Sequence, residues 1–320
     1  LPASLAIDGL YFDSVAVRYK GNSTFYIPYT LENPKKPYNI DFNDYDSNQD
    51  LMGYNKLKLA NTLFDPTCRK EILGYSIYKN YLPSPEANFM NLYVNDNFLG
   101  LYVNTEAINT SFLDKHFGEN EGVFFKCENQ DLFGVSGGSL TPNLDYRGMD
   151  STLYVESYEL KSESGFKDLI DMIYTLNNDI ENIENHLNVD RVLWYLAVNS
   201  CILNADTYSL VNVRNFYMYQ TENGQFQIIP WDVSESFIGA LTFWWGDVEN
   251  LHEASPYFGY DPYIEDRPLI YNLLQNDLYR KIYDSHIRTI MNDFINTGYF
   301  EDRAEDLGDL SYDSAQNDIN

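Results

Sequence analysis

Three polar residues in the second half of the chain are of the types that position phosphate and metal ions. Asp206 follows an apolar segment, Asn215 lies in an aromatic strand-like segment, and Asp232 follows a further apolar strand. Phosphoryl transfer depends mainly on positioning and charge neutralisation, and carboxylate and amide oxygens are suitable ligands for Mg²⁺. The pattern therefore indicates phosphoryl transfer. The alternative is that these residues only form turns, where Asp and Asn are common.

A β-hairpin is predicted to bring the three residues together. The Tyr-rich residues 215–219 and residues 225–230 are predicted to form two strands, and a Thr-Glu-Asn-Gly turn joins them. A hairpin of this length returns Asp232 to the neighbourhood of Asp206 and Asn215. In a kinase-like site, we expect Asp206 to orient the nucleophile while Asn215 and Asp232 contact the metal ion.

A series of short motifs along most of the chain resembles one known family. The motifs are Val15 to Ser23 with the sequence RYKGNS, Lys35 to Phe42, Lys56 to Asn61, Asp65 to Arg69, Leu92 to Tyr102 with Glu106, Gly122 to Lys126, and Trp231-Asp232. In this order they resemble the spore-coat protein H (CotH) kinase family of atypical, secreted or surface-associated protein kinases. The resemblance covers roughly residues 15–239.

The resemblance implies a role for each candidate residue. Lys126 matches the nucleotide-phosphate lysine, Asp206 the catalytic aspartate and Asp232 the metal aspartate. Asn215 matches a strand asparagine that contacts the metal or a phosphate. The implied cofactors are ATP with Mg²⁺ or Mn²⁺, and Ca²⁺ is a further candidate.

The assignment of the phosphate lysine has alternatives. Glu106 is expected to pair with Lys126 and aim it at phosphate, as kinase sites pair a lysine with a glutamate. Without the resemblance, Lys126 is interpreted as a lysine at a strand edge, and Lys161 is a rival phosphate lysine. Arg18 and Lys20 are interpreted as residues that brace the sheet.

One position departs from the family pattern. The family commonly has Trp-Asp-x-Asp, and Ser234 stands in place of the second acid. Loss of this carboxylate weakens or changes a second metal site. A non-catalytic kinase-like module that organises an extracellular, spore-coat or cell-surface assembly is therefore the second hypothesis. A glycosidase with two carboxylates is a third, but it explains neither Lys126 nor Asn215.

Composition limits the classes of partner. The chain has 320 residues and a net charge of −27, from 21 Lys and Arg against 48 Asp and Glu. Nucleic-acid binding is not expected, because phosphate backbones are bound by clustered Lys and Arg. The longest apolar run, residues 192–203, is interrupted by Asn199 and too short to span a membrane.

The remaining expectations concern location and cysteines. The sequence has no initiator Met and no signal peptide, so we expect a mature or excised fragment of an extracellular or cell-surface protein. Its partner is expected to be a protein substrate in a surface or coat assembly. The three cysteines lack disulfide or zinc spacing and are interpreted as small buried residues.

The predicted fold is α+β and two-lobed, like that of protein kinases. We expect a strand-rich nucleotide lobe over about residues 1–162 and a helical lobe over about 163–320. Strands are predicted at 15–20 and 38–42 and in a hairpin of 90–94 with 99–103, and helices at 65–81, 166–176, 189–203 and 268–295. Residues 129–150 are predicted to form a polar loop. Trp244 and Trp245 are predicted to pack within the protein, with a substrate-lining role as the alternative. Residues after Phe300 are predicted to lack an ordered end.

Overall fold

A computed structural model describes residues 1–128, 141–204, 206–209, 213–237, 255–257 and 267–319. The fold contains both classes of secondary structure, with strands concentrated in the first half and helices in the second, so the α+β prediction is confirmed. The chain forms two compact units. The first unit comprises Leu1–Ile72, Pro85–Asn120 and Ala304–Asn320, and the second comprises Leu73–Ser84 and Glu121–Arg303. A functional division near residue 162 stays a prediction.

The first unit contains a six-stranded antiparallel sheet. Its order is β1 (Pro2–Ile7), β2 (Leu10–Tyr19), β3 (Tyr38–Asp41), β4 (Lys56–Ala60), β6 (Asn97–Thr105) and β5 (Ala87–Val94). Side chains alternate between the two faces of a strand, and Leu57 and Leu59 of β4 accordingly enter a core with Val15, Ile40 and Tyr102. The strands predicted from alternation at 15–20 and 38–42 are confirmed.

The hairpin of β5 and β6 is confirmed, with a tighter turn than expected. Asn95 and Asp96 alone form the turn, and both have positive φ, 49° and 63°. Two-residue turns of this kind match the twist of the flanking strands, and Asn and Asp tolerate the left-handed conformation better than most residues.

Three helices begin in the first unit: α1 (Ser23–Thr30), α2 (Lys70–Tyr78) and α3 (Thr110–Phe117). The prediction that α2 begins at Asp65 is wrong. The Asp65 carboxylate does accept hydrogen bonds from the N–H groups of Thr67 (3.0 Å) and Lys70 (2.9 Å). Cys68, however, has a φ of 56°, which interrupts helical geometry, so the helix starts only at Lys70.

The second unit contains the antiparallel sheet β10 (Phe226–Pro230), β9 (Phe216–Gln220), β7 (Phe124–Cys127) and β8 (Tyr158–Leu160). Its helices are α4 (Phe166–Asn178), α5 (Val189–Cys201), α6 (Pro268–Leu274) and α7 (Asp277–Ile290). The predicted hairpin of β9 and β10 is confirmed, as are helices at 166–176 and 189–203. The single helix predicted over 268–295 is wrong, because Asn276 interrupts it and caps α7 by accepting from Leu278 N–H (2.9 Å).

The expected lack of order after Phe300 is also wrong, since α8 spans Tyr299–Gln316. Within the first unit, the Arg69 guanidinium donates to the carbonyl of Ala304 at 2.6 Å. Farther along, the Asp318 carboxylate forms an ion pair of 2.7 Å with Lys35, whose side chain is fully buried. These long-range contacts order an acidic segment whose composition alone does not predict a packed helix.

None of the described helices combines the length and apolar character that crossing a bilayer requires.

Candidate functional site

The segment that leaves α5 carries Asp206 into the interior of the second unit. The backbone N–H of Asn204 donates to the Asn199 carbonyl at 3.0 Å, and its side-chain amide donates to the Asn199 amide oxygen at 3.0 Å. These contacts fix the end of the helix and the direction of the chain after it. Asp206 is only 6% exposed, so its charge requires a partner.

The partner is Arg214. Its Nε donates to Asp206 Oδ1 at 2.8 Å and its Nη2 donates to Asp206 Oδ2 at 2.6 Å. This two-pronged geometry is the strongest that an arginine and a carboxylate form. No motif in the sequence singled out Arg214. The available signal was its position directly before Asn215, in a segment interpreted only as a strand.

Asn215 holds the Asp206 segment from a second direction. Its side-chain Nδ2 donates to the Asp206 carbonyl at 2.8 Å and to Asp206 Oδ2 at 3.1 Å. Asn215 has a φ of 64°, a conformation that asparagine tolerates better than most residues, and β9 begins at the next residue. The predicted proximity of Asp206 and Asn215 is therefore observed as direct contact.

The hairpin then delivers Asp232 to the same end of the sheet. Pro230 pairs with Phe216 in the β9–β10 register, and the Trp231 N–H donates to the Asn215 carbonyl at 3.1 Å. Asp232 follows with a φ of 50°. Trp231, the residue before Asp232, is thus hydrogen-bonded to Asn215, and Asn215 is hydrogen-bonded to Asp206.

The turn after Asp232 is packed closely against Gly74, in the part of α2 that belongs to the second unit. A side chain on Gly74 would meet Val233 Cγ2 at 2.9 Å, so the glycine permits this approach. Beyond the turn, the Phe237 N–H donates to the Ile202 carbonyl at 2.6 Å. Both ends of the Asp232 segment are therefore fixed by backbone hydrogen bonds.

Ser234 lies beside the candidate metal aspartate. Its hydroxyl donates to Asp232 Oδ1 at 2.7 Å. The position where the family pattern has a second acid therefore places a neutral oxygen at the Asp232 carboxylate, and contributes no second negative charge.

The electrostatics of the cluster centre on Arg214. Burial alone lowers the pKa of this guanidinium, but attraction and hydrogen bonding by Asp206 outweigh it, and Asp232 and Glu128 add to the attraction. The net result is a pKa above the ordinary arginine value. Three carboxylates therefore act on one guanidinium.

Lys126 lies on β7, which pairs directly with strand β9 of the hairpin. It is opposite Tyr217 of β9 in the register, and Cys127 is opposite Phe216. The next residue, Glu128, consequently lies at the same end of the sheet as Asn215, and its carboxylate forms an ion pair with Lys126 Nζ. The lysine side chain is 23% exposed, which leaves its ammonium partly accessible.

Comparison with known proteins shows the family of the chain. The model of the family described as CotH kinase protein matches residues 17–319. The chain belongs to the CotH kinase family. It is also 22% identical over 310 residues to the inner spore coat protein H of Bacillus subtilis strain 168, covering 94% of this chain and 77% of that protein.

The CotH-family glutamate expected beside Lys126 belongs to the first unit. Glu106 there accepts from Lys115 Nζ at 3.0 Å and from the Glu86 N–H at 3.1 Å. Burial alone raises the pKa of Glu106, but nearby His116, whose Nε2 lies 3.9 Å from the carboxylate, and hydrogen bonds from Lys115 and the Glu86 N–H lower it overall. A pairing of Glu106 with Lys126 stays a prediction.

Glu106 and Lys115 line a cavity of about 200 Å³ in the first unit, together with Tyr54, Asn109 and Phe112. The Lys115 ammonium also contacts the Tyr54 hydroxyl at 3.2 Å. Both charged groups are therefore satisfied by neighbours in the same unit.

The other residues singled out in the sequence fall outside the cluster or outside the described residues. Lys161, the rival phosphate lysine, forms an ion pair with Glu159. Arg18 lies opposite Asn39 in the pairing of β2 with β3. Most of the predicted 129–150 loop, residues 129–140, and Trp244-Trp245 lie outside the residues that the structure describes.

The cysteines fit their interpretation as packing residues. All three are thiols, with Cys68 and Cys127 buried and Cys201 half-buried. Burial raises the pKa of the Cys127 thiol, which keeps it protonated and unreactive.

The donor set fits a magnesium-type ion. Within the described parts of the chain, no three His, Cys, Asp or Glu side chains cluster as a protein-only metal centre would require. Asp232 and Ser234 provide hard oxygen ligands, and Asn215 lies one backbone hydrogen bond away. Mg²⁺ commonly binds through one or two carboxylates plus phosphate oxygens and waters, so this small set is suitable.

Proposed function

We propose that this chain is an atypical protein kinase that transfers the γ-phosphate of ATP to Ser or Thr hydroxyls of a secreted or surface protein. The observation that carries the proposal is the contact network of Asp206, Asn215 and the Trp231-Asp232 segment at one end of a sheet. Membership of the CotH kinase family supports the same reaction.

Each residue has a definite task in this proposal. Asp206 orients the attacking hydroxyl and accepts its proton, as the catalytic aspartate of kinases does. Lys126 contacts a nucleotide phosphate. Asp232, Ser234 and Asn215 hold Mg²⁺ or Mn²⁺, which when bound neutralises charge on the phosphates.

The proposed substrate is a protein of a coat or surface assembly. The matched Bacillus relative is named as an inner spore coat protein, and we extend a coat or cell-surface location to this chain. The net charge of −27 disfavours a nucleic-acid partner and favours accumulation of divalent cations near the surface.

The second candidate function is a non-catalytic module that organises such an assembly. Ser234 in place of an acid favours it, since the hydroxyl adds no charge for a second cation. The Arg214 contact with Asp206 also favours it, because the carboxylate is engaged within the protein.

Transfer of radiolabel from γ-labelled ATP to the chain itself tests the proposal without knowledge of the natural substrate. We expect labelling of Ser or Thr with Mg²⁺ or Mn²⁺ and none with EDTA. Asp206→Asn and Asp232→Asn are the matched charge-removing variants, and both are expected to lose labelling. Absence of labelling at every metal concentration, with a folded wild-type protein, favours the non-catalytic module.

A further inference from the structure

Both oxygens of the Asp206 carboxylate are occupied in this structure. Oδ1 accepts from Arg214 Nε, while Oδ2 accepts from Arg214 Nη2 and, at 3.1 Å, from Asn215 Nδ2. An aspartate that orients a substrate hydroxyl must present an accessible oxygen to it. The three hydrogen bonds use three of the roughly four acceptor positions of the carboxylate, and the Asp206 side chain is only 9% exposed, so a substrate hydroxyl reaches it only after a donor moves away.

Arg214 is the group whose movement uncovers Asp206 at the smallest structural cost. It is a side chain with several rotatable bonds, whereas Asn215 also donates to the Asp206 backbone carbonyl at 2.8 Å and fixes the segment. If the Arg214 guanidinium moves away from Asp206, both hydrogen bonds from Asn215 to Asp206 remain. Asp206 then keeps its position while the guanidinium no longer covers Oδ1.

Arg214 lies close to Asp232, the proposed metal ligand. Its side chain is 23% exposed, and it is attracted by Asp232 and Glu128 as well as by Asp206. The Arg214 guanidinium therefore stays charged close to the proposed metal ligand Asp232. A terminal phosphate carries more charge and more acceptor oxygens than one carboxylate, and guanidinium groups bind it in the same two-pronged geometry.

We propose that Arg214 binds the terminal phosphate of a nucleoside triphosphate, and that its transfer from Asp206 to that phosphate releases Asp206 for the substrate hydroxyl. This inference rests on the proposed function and names a residue of the same site that the family resemblance did not assign. Before the nucleotide binds, the pair with Arg214 keeps the Asp206 carboxylate neutralised and out of reach of a hydroxyl.

The test compares ATP with AMP, because only ATP carries the terminal phosphate. Affinities are measured by calorimetry with Mg²⁺ for wild type, Arg214→Gln and Arg214→Lys. The matched control is Arg280→Gln, which removes an exposed arginine paired with Asp277 on α7. We expect Arg214→Gln to weaken ATP binding by about tenfold or more, the scale of charge-assisted hydrogen bonds, and to leave AMP binding unchanged.

Arg214→Lys keeps a positive charge beside Asp206 but loses the paired donors. Its ATP affinity is therefore expected to lie between those of wild type and Arg214→Gln. Because Arg214→Lys retains the charge that pairs with Asp206, it still tests phosphate binding if Arg214→Gln misfolds. Thermal unfolding of each variant measures whether it is folded. Arg280→Gln is expected to bind both nucleotides as wild type does.

Three results overturn the inference. Wild-type ATP affinity in Arg214→Gln excludes phosphate binding by this residue while leaving the proposed kinase function intact. Equal losses for ATP and AMP in both Arg214 variants assign the residue a purely structural role. Failure of the wild type to bind ATP with either Mg²⁺ or Mn²⁺ removes the proposed function together with this inference.

Discussion

The Ser234 hydroxyl donates to the Asp232 carboxylate over 2.7 Å, so the residue that replaces a family acid lies against the candidate metal ligand. This contact makes the metal requirement of the site adjustable by a single substitution. Ligand charge is one of the main determinants of divalent-cation affinity.

Ser234→Asp is therefore expected to lower the Mg²⁺ concentration that gives half-maximal autophosphorylation, by about tenfold. The measurement is initial labelling rate against metal concentration at fixed ATP. Ser285→Asp, an equal charge change at an exposed position of α7, is the control and is expected to match wild type. An unchanged metal midpoint in Ser234→Asp removes Ser234 from the metal site.

Asp206 and Asp232 are expected to affect different steps. Asp232→Asn should abolish the part of ATP binding that depends on divalent cation. Asp206→Asn should preserve ATP binding and lower phosphotransfer by roughly 10² or more, the scale of a positioned acid-base group. Calorimetry and labelling are measured on both variants, and the opposite pattern would exchange the two assignments.

The buried pair of Lys35 and Asp318 predicts a large stability effect. Asp318→Ala leaves the fully buried Lys35 ammonium without its carboxylate, and loss of one partner of a buried pair typically costs about 3–5 kcal/mol. Urea unfolding measures the change. The apolar double variant Lys35→Met with Asp318→Leu is expected to regain most of the stability, and a double variant no more stable than Asp318→Ala contradicts this account.

Glu106 is expected to contribute to acid sensitivity. Its pKa is lowered in the folded protein, so its stabilising effect is present above the ordinary glutamate pKa of about 4.3 and is lost as pH falls through the lower folded value. Glu106→Gln should therefore be less stable than wild type near neutrality, with the difference shrinking as pH falls below about 4. Thermal unfolding across pH tests this, with the exposed Glu305→Gln as control.

Local sequence signals predicted the parts of the fold that depend on neighbouring residues. The β9–β10 hairpin follows from aromatic and apolar strand-like segments on either side of a Thr-Glu-Asn-Gly turn, and the turn closes with Gly224 N–H donating to the Thr221 carbonyl at 2.8 Å. Because register is set locally in a hairpin, the position of Asp232 near Asn215 was predictable as well.

The failed predictions depend on backbone conformations or distant partners that composition does not reveal. The Asp65 carboxylate does accept backbone hydrogen bonds, but it is not the residue before the helix, because the left-handed Cys68 delays the start of α2 to Lys70. Order in α8 depends on Lys35 and Arg69, more than 200 positions earlier in the chain. Arg214 was missed because its partner Asp206 lies eight positions earlier in the chain, a spacing that neither strand nor helix periodicity brings together.

The division of the first unit among distant segments has a consequence for synthesis. Residues 304–319 emerge from the ribosome after the whole of the second unit, yet they supply the carboxylate that neutralises Lys35. Until then the segment between α1 and β3 carries an uncompensated Lys35 charge at a position that becomes fully buried, so the final packing of this segment has to wait for those residues. The second unit, whose main part is continuous, is free to fold before residues 304–319 emerge, so the candidate active site does not depend on the last segment of the first unit.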